Sequence, residues 1–184
     1  MENSTPNPTK VATKWALIYI GTSIVITYIF QFLNIDQNSP AKYVAYVPFI
    51  AFLLLTQKEY RDQLGGFLTF GEGFSSGFRY AVFSGLLLAV FIYLYLAILS
   101  PQILDQSMAQ QQGKFAEQGM SQEQIDKAME IGKKYGPIIG AFGAAIGMTI
   151  FGAIIALNGA AIFKKERTIA DLENEAATPT DPAV

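Results

Sequence analysis

The residues that could do chemistry are few. GGFLTFGEGFSSG, residues 65–77, embeds Gly71-x-Gly73-x-x-x-Gly77, and glycines spaced this way can open a phosphate-binding turn. Glu72 and Arg79 lie inside and just beyond that stretch, with Glu59 and Asp62 just before it. A carboxylate beside a cation at a membrane edge could act on a lipid headgroup. Gln31, Thr149 and Asn158 form a third group, uncharged side chains that could line a polar route through an apolar protein.

The glycines fail the requirements of a nucleotide site. A dinucleotide fingerprint needs a strand, a tight turn and a helix packed on a sheet. Here KEYRDQ precedes the glycines, no alternating strand is present, and the spacing is not G-x-G-x-x-G. Packing is the simpler role. Gly65 and Gly66 let the chain turn as it leaves a helix. Phe67, Leu68, Phe70, Phe74 and Phe78, beside Glu72 and Arg79, suit a segment in the headgroup zone. Cysteine and histidine are both absent. That removes disulfides, thiol nucleophiles, the usual zinc sites and the commonest general base near neutral pH. No cofactor is expected. With a net charge of −2 there is no basic footprint for nucleic acid.

The elements that position these residues follow from where charge is missing. Charged residues make up 15% of the 184-residue chain and crowd into the segments between long charge-free runs. Four such runs predict an all-α polytopic membrane protein with four transmembrane helices, at about residues 15–35, 41–60, 78–100 and 136–163. The first is too long for a signal peptide and ends in no small-x-small cleavage pattern. The second is the weakest. Its fifteen uncharged residues between Lys42 and Lys58 make only about 22 Å of helix, and Pro48 permits a kink. Residues 1–14 read as a polar, disordered tail. Residues 164–184 read as a charged tail, helical to about Asn174 before disorder.

Residues 102–135, between the third and fourth spans, predict an extramembrane helical hairpin. Leu104, Met108, Gln111 and Phe115 form one stripe, Gly119 breaks it, and Ser121-x-x-Gln124 has the form of a capping box. Ile125, Ala128, Met129 and Gly132 share a face of the second arm, and Glu123–Lys127 and Glu130–Lys134 are favourable pairs. With four spans, eight Lys and Arg fall on the side of the termini and five on the other, which predicts both termini in the cytoplasm. Trp15 and Tyr80 are then expected near the inner interface, and Tyr43, Tyr93, Tyr95 and Tyr135 near the outer one.

Small residues recur on two of the helices. Gly77, Ala81, Gly85 and Ala89 step by four along the third. Gly136, Gly140 and Ala144, with Gly143 and Gly147, do so on the fourth. In lipid the hydrophobic effect does not bring helices together, and close approach over small side chains supplies the contact instead. Gly77, Ala81, Gly85, Ala89, Gly140, Gly143, Ala144 and Gly147 are therefore expected to pack helices, within one chain or between chains. Thr22, Ser23, Thr27 and Ser84 are expected to cross-link helices or bond to their own backbone. No Asp, Glu, Lys or Arg sits deep in a span, so the usual mark of an ion pathway is missing.

The order of these features resembles the small membrane proteins of domain-of-unknown-function family 4199, found in gram-negative bacteria. The resemblance is carried by KEYRDQLGGFLTFGEGFSSGF, YLYLAILSPQILD and EQGMSQEQIDKAMEIGKK, and extends over roughly residues 10 to 167. It implies a four-helix integral membrane protein of the bacterial inner membrane and carries no active site with it. The expectation is a non-enzymatic accessory or assembly component acting through helix packing. Its partners would be the lipid bilayer and a membrane protein or further copies of itself. A small oligomeric carrier or channel is the alternative, and a headgroup enzyme using Glu72 and Arg79, or Glu59 and Asp62, is a third.

Overall fold

A computed structural model describes residues 6–35 and 40–169. Five α-helices account for most of them: α1 (Pro8–Phe32), α2 (Tyr46–Gln63), α3 (Phe70–Leu94), α4 (Pro101–Glu117) and α5 (Gln122–Phe163). A 3-10 turn, Pro40–Ala45, leads into α2, and a π turn, Tyr95–Leu99, prolongs α3. Three helical stretches are long and apolar enough to cross a membrane: Pro8–Phe32, Phe70–Leu99 and Gln122–Phe163. They mark a membrane-embedded protein.

The helix ends follow local chemistry. α1 starts within the stretch expected to be a tail, because Asn7 Oδ1 accepts from the backbone N–H of Thr9 (2.9 Å) and Lys10 (3.3 Å), with Pro8 at the first helical position. α1, α2 and α4 share one kind of ending. A residue at positive φ (Asn34, Gly65, Gly119) and its successor return their N–H groups to carbonyls of the last turn. Gly66 N reaches Arg61 O at 3.0 Å and Gly65 N reaches Asp62 O at 3.2 Å, the paired bonds of a Schellman stop. The Ser121 capping box forms, with the Gln124 side chain accepting from Ser121 N at 3.0 Å.

Two prolines leave their helices unbroken. Pro48 lies in the first turn of α2, where the missing N–H costs no helical hydrogen bond, so the kink its position suggested has no cause. Pro137 lies inside α5, and the helix continues through it. The second half of the 102–135 segment and the following apolar run are thus one 42-residue helix, about 63 Å long. α4 folds back along its first third. Met108 covers Gly132, Leu104 lies over Gly136, and Asp105 pairs with Lys133 at 3.3 Å. The helix expected to continue from Lys164 toward Asn174 does not start there: α5 ends at Phe163 and residues 164–168 are not helical, because Lys165 pairs its backbone with Leu68. Residues 1–5 and 170–184 lie outside the described residues.

α3 and α5 form the central seam, antiparallel, small residue against small residue. Gly73 lies against Ala160, Gly77 against Ala156, Ala81 against Gly152, and Gly85 against Ala145 and Thr149. Each step of four along α3 is a step of about four back along α5. The backbones come so close that a Cβ on Gly85 would lie 2.9 Å from Ala145 O. Beside the seam, one aromatic from each of four helices meets. Phe49 (α2) contacts Tyr19 (α1) at 5.3 Å between ring centroids, Tyr80 (α3) at 5.4 Å and Phe151 (α5) at 5.9 Å. The Tyr80 hydroxyl donates to Phe49 O at 3.2 Å. Tyr80, expected at the interface, is wholly buried, and so nearly is Tyr95.

The outward faces are apolar. Val25, Ile29, Leu86, Val90, Ile146, Ile150 and Ile154 are all exposed on the three long helices, as side chains solvated by lipid would be.

The seam yields a stability prediction. A Cβ on Gly152 would overlap Ala81 Cβ and lie 3.0 Å from Phe49, whereas Gly143 and Gly147 have open space around them. Gly152→Ala should lower stability by roughly 1–3 kcal/mol through overpacking. Gly147→Ala should change it by less than about 0.5 kcal/mol. Thermal unfolding of the two variants in the same detergent compares them, and equal midpoints would refute the seam.

Candidate functional site at the charged end of the bundle

The start of α1, the end of α2, the start of α3 and the end of α5 meet at one end of the molecule. This end holds Glu59, Asp62, Glu72 and Arg79, the charged residues whose types could do chemistry, and each has a structural occupation. Glu59 pairs with Lys14, accepts from Trp15 Nε1 at 2.7 Å and from Gln63 Nε2 at 3.3 Å. That cluster ties the end of α2 to the start of α1 and so sets the two helices antiparallel. Asp62 takes Lys58 at 3.1 Å and Arg61 at 3.4 Å. The Lys58 hydrogen bond, helped by the charges of Lys58 and Arg61, holds the Asp62 carboxyl below the usual carboxylate range.

Glu72 belongs to a capping box that opens α3. Its Oε2 accepts from Thr69 N at 2.9 Å and Thr69 Oγ1 at 2.7 Å, and Thr69 Oγ1 accepts in turn from Glu72 N at 3.3 Å. Arg79 donates to Thr9 Oγ1 at 2.6 Å, which braces α3 against α1. Glu72 and Arg79 therefore serve different elements and share no ligand. The glycine-rich stretch divides likewise. Gly65 and Gly66 end α2, Gly71 is open to the exterior, and Gly73 and Gly77 face the seam.

The polar side chains of the apolar helices mostly turn back on their own backbones. Thr22, Thr27, Thr56 and Asn158 each donate to the carbonyl four residues earlier, at 2.7–2.9 Å. Gln31 lies at the opposite end, accepting from the Tyr95 hydroxyl at 3.3 Å and approaching Ser100 Oγ at 3.4 Å. Thr149 borders Gly85 in the seam. Gln31, Thr149 and Asn158 are thus brought to three separate places.

Of the small residues named from the sequence, Gly77, Ala81 and Gly85 face α5, and Gly140 meets Leu96 at ordinary van der Waals distance. Gly143 and Gly147 lie on the exposed side, and Ala89 and Ala144 are half-buried.

Gln57 was missed. It is fully buried at the junction of α2, α3 and α5, where its Nε2 donates to Gly73 O at 3.0 Å and Ala156 O at 2.8 Å. Two carbonyl acceptors fix which end of the amide is the NH2. Its Oε1 has no hydrogen-bond donor and occupies the space that a side chain on Gly159 would need. A Cβ on Gly77 would lie 2.8 Å from Nε2. Gly77 therefore does two things: it lets α3 approach α5 and, together with Gly159, it leaves a slot for one amide.

A family model described as "Protein of unknown function (DUF4199)" matches residues 14–165, most of the chain. The chain belongs to this family. No curated protein and no solved structure matches it. In this DUF4199 protein the matched residues run from Lys14 of the Glu59 cluster to Lys165, whose backbone pairs with Leu68. The match thus takes in both contacts that close the charged end.

Gln57 gives the sharpest test of this arrangement. Gln57→Leu removes two hydrogen bonds to carbonyls that α-helical N–H groups already supply, a loss of roughly 1–2 kcal/mol. Gln57→Glu sets a carboxylate against the same carbonyls and should cost about 3 kcal/mol or more. Thermal unfolding in detergent at neutral pH should rank wild type above Leu and Leu above Glu. A Glu variant as stable as wild type would contradict the geometry.

Proposed function

We propose that the protein is a non-enzymatic accessory or assembly component of the bacterial inner membrane, acting through helix packing and through the helical hairpin of α4 and the first third of α5. In this reading the chain crosses the bilayer four times, with both termini in the cytoplasm and the hairpin outside. The observation that carries the non-enzymatic reading is the occupation of Glu59, Asp62, Glu72 and Arg79. Each is engaged in holding one helix end to another or to itself.

The fourth crossing is α2. Its 18 residues give about 27 Å, and the six-residue 3-10 turn before it adds about 12 Å, so the helical stretch outruns its uncharged core and its charged last turns reach headgroup level. The Glu59 cluster supports the direction, because it sets the end of α2 at the level where α1 begins. Lys14, Lys58, Arg61, Arg79, Lys164, Lys165 and Arg167 then share one side, consistent with a cytoplasmic face.

The hairpin supplies the contact surface. α4 spends its apolar stripe on α5, so its outward face carries Gln106, Gln110 and Gln112. A rigid polar surface of this kind suits a protein partner better than it suits lipid. The partner is a membrane protein or further copies of the same chain. The carrier alternative draws less support, since Gln31, Thr149 and Asn158 do not converge.

Reporter fusions at residues near 38 and 68 should report opposite faces of the bilayer, and the same face would remove the four-span reading. Extraction from native membranes in mild detergent should give an assembly larger than the monomer. A strictly monomeric species with nothing co-purifying would count against the accessory role.

A further inference from the structure

α5 is longer than a bilayer needs. About 20 helical residues cross a hydrocarbon core of about 30 Å. At the charged end α5 stops at Phe163, where an extended strap begins and Lys165 pairs its backbone with Leu68. Counted from there, the core reaches to about residue 144. The remainder of the helix, up to Gln122, projects roughly 30 Å farther, of which the headgroup layer takes only about 5–7 Å.

One apolar stripe nevertheless runs along both parts without a break. Ile150, Ile146 and Phe142 continue into Ile138, Tyr135 and Ile131 at steps of three or four residues, and each is 43–66% exposed. Lipid accounts for the first three. It does not account for Tyr135 and Ile131, roughly 14 and 20 Å past the core. α4 does not cover them, because Met108 and Leu104 lie over Gly132 and Gly136 on another side of α5. An apolar strip that leaves the bilayer in this way marks a protein contact.

The occupant has to cross the bilayer beside α5 and continue about 20 Å outward with an apolar face of its own. The α5 of a second copy is such a helix. A bilayer gives every copy the same direction, so two of these stripes would meet parallel and in register. Six side chains of roughly 200 Å², each about half exposed, offer on the order of 600 Å² per copy, near the roughly 800 Å² per partner of a stable interface. Charge at the border does not oppose the contact, since Lys127 is paired with Glu123 at 3.2 Å and Lys134 lies 5.2 Å over its own Tyr135 ring. We propose that two copies of the chain pack α5 against α5 along this stripe as a parallel homodimer. The proposal rests on the reading that α5 spans with the hairpin outside, and it names the partner as a second copy.

The chain has no cysteine, so single-cysteine variants of the full-length protein each report one position. Under mild oxidation in native membranes, Ile131→Cys and Tyr135→Cys should form disulfide-linked dimers. Gln122→Cys and Asp126→Cys, exposed on the opposite side of the same helix, should not. A membrane-impermeant maleimide applied from the hairpin side should label all four. Labelling without cross-linking would overturn the homodimer and leave the topology standing, whereas absence of labelling would remove both. Equal cross-linking at all four positions would mean random collision and also overturn it. In native mass spectrometry from mild detergent, Ile131→Glu with Tyr135→Glu should lose the dimer that wild type shows. A dimer that survives both changes, or a wild-type complex with a different polypeptide in place of the second copy, would refute the proposal.

Discussion

The arrangement depends on how closely α3 and α5 approach. Within a membrane, apolar side chains gain nothing from leaving lipid for protein, so helices associate through contact area and the few polar bonds available. The seam obtains contact by shrinking side chains: Gly73, Gly77 and Gly85 on one helix, Gly152, Ala156 and Ala160 on the other. Close approach also makes backbone carbonyls reachable from a third helix. Gln57 uses that access, donating from α2 to one carbonyl on each side of the seam. The amide thus reads the spacing of the other two helices. If they moved apart, one of its two bonds would break, and the freed group would be buried in an apolar core, where an unpaired polar group is costly.

This explains why α2 can be short and comparatively polar and still hold a fixed place. Its buried residues are Phe49, Leu53, Thr56, Gln57 and Tyr60, which follow a helical stripe toward the seam. Phe49 at one end enters the aromatic cluster, Gln57 near the other end locks the seam, and Glu59 ties the last turns to α1. Three different forces act along about three turns of helix. Composition-based reasoning sees only that this segment is less apolar than its neighbours.

That contrast marks what was legible in the sequence. The apolar runs, the Ser121 cap, the break at Gly119 and the small-residue face of α3 all follow from local chemistry, and local chemistry is visible residue by residue. On α5 the same rule is ambiguous, because glycine and alanine offer several registers at once. Gly136, Gly140 and Ala144 compete with Gly143 and Gly147, and both compete with Ala145, Gly152, Ala156 and Gly159. Only the position of α3 selects among them. The start of α1 was readable from Asn7-Pro8 and was hidden by the polarity of the residues around it. Thr69-x-x-Glu72 has the same capping form as Ser121-x-x-Gln124, yet the glycines beside it drew attention to phosphate chemistry instead. Gln57 carries no local signal, since an uncharged glutamine near the end of an apolar run looks like an interfacial residue. Its role exists only once Gly73 and Ala156 are adjacent.

The two ends of the molecule are built on opposite principles. At the end holding the termini, four helix ends and the strap are joined by charge contacts and a backbone bridge, all within a few turns of one another. At the other end the bonding is sparse. Gln31 meets Tyr95 and Ser100 through long hydrogen bonds of 3.3–3.4 Å, and α3 passes through a π turn before α4 begins. Beyond that point α4 contacts α5, and the described residues show no comparable brace from α1 or α2. A π turn relaxes the regular bonding of a helix at a single place. The α4–α5 unit is therefore fixed mainly through its chain connections, the π turn into α3 and the continuity of α5. A force applied to α4 would reach the seam by two routes, through the π turn into α3 and along α5 through Pro137, which lacks a backbone N–H to resist bending. The geometry concentrates compliance where the proposed contact surface joins the bundle and stiffness where the bundle meets its charged end.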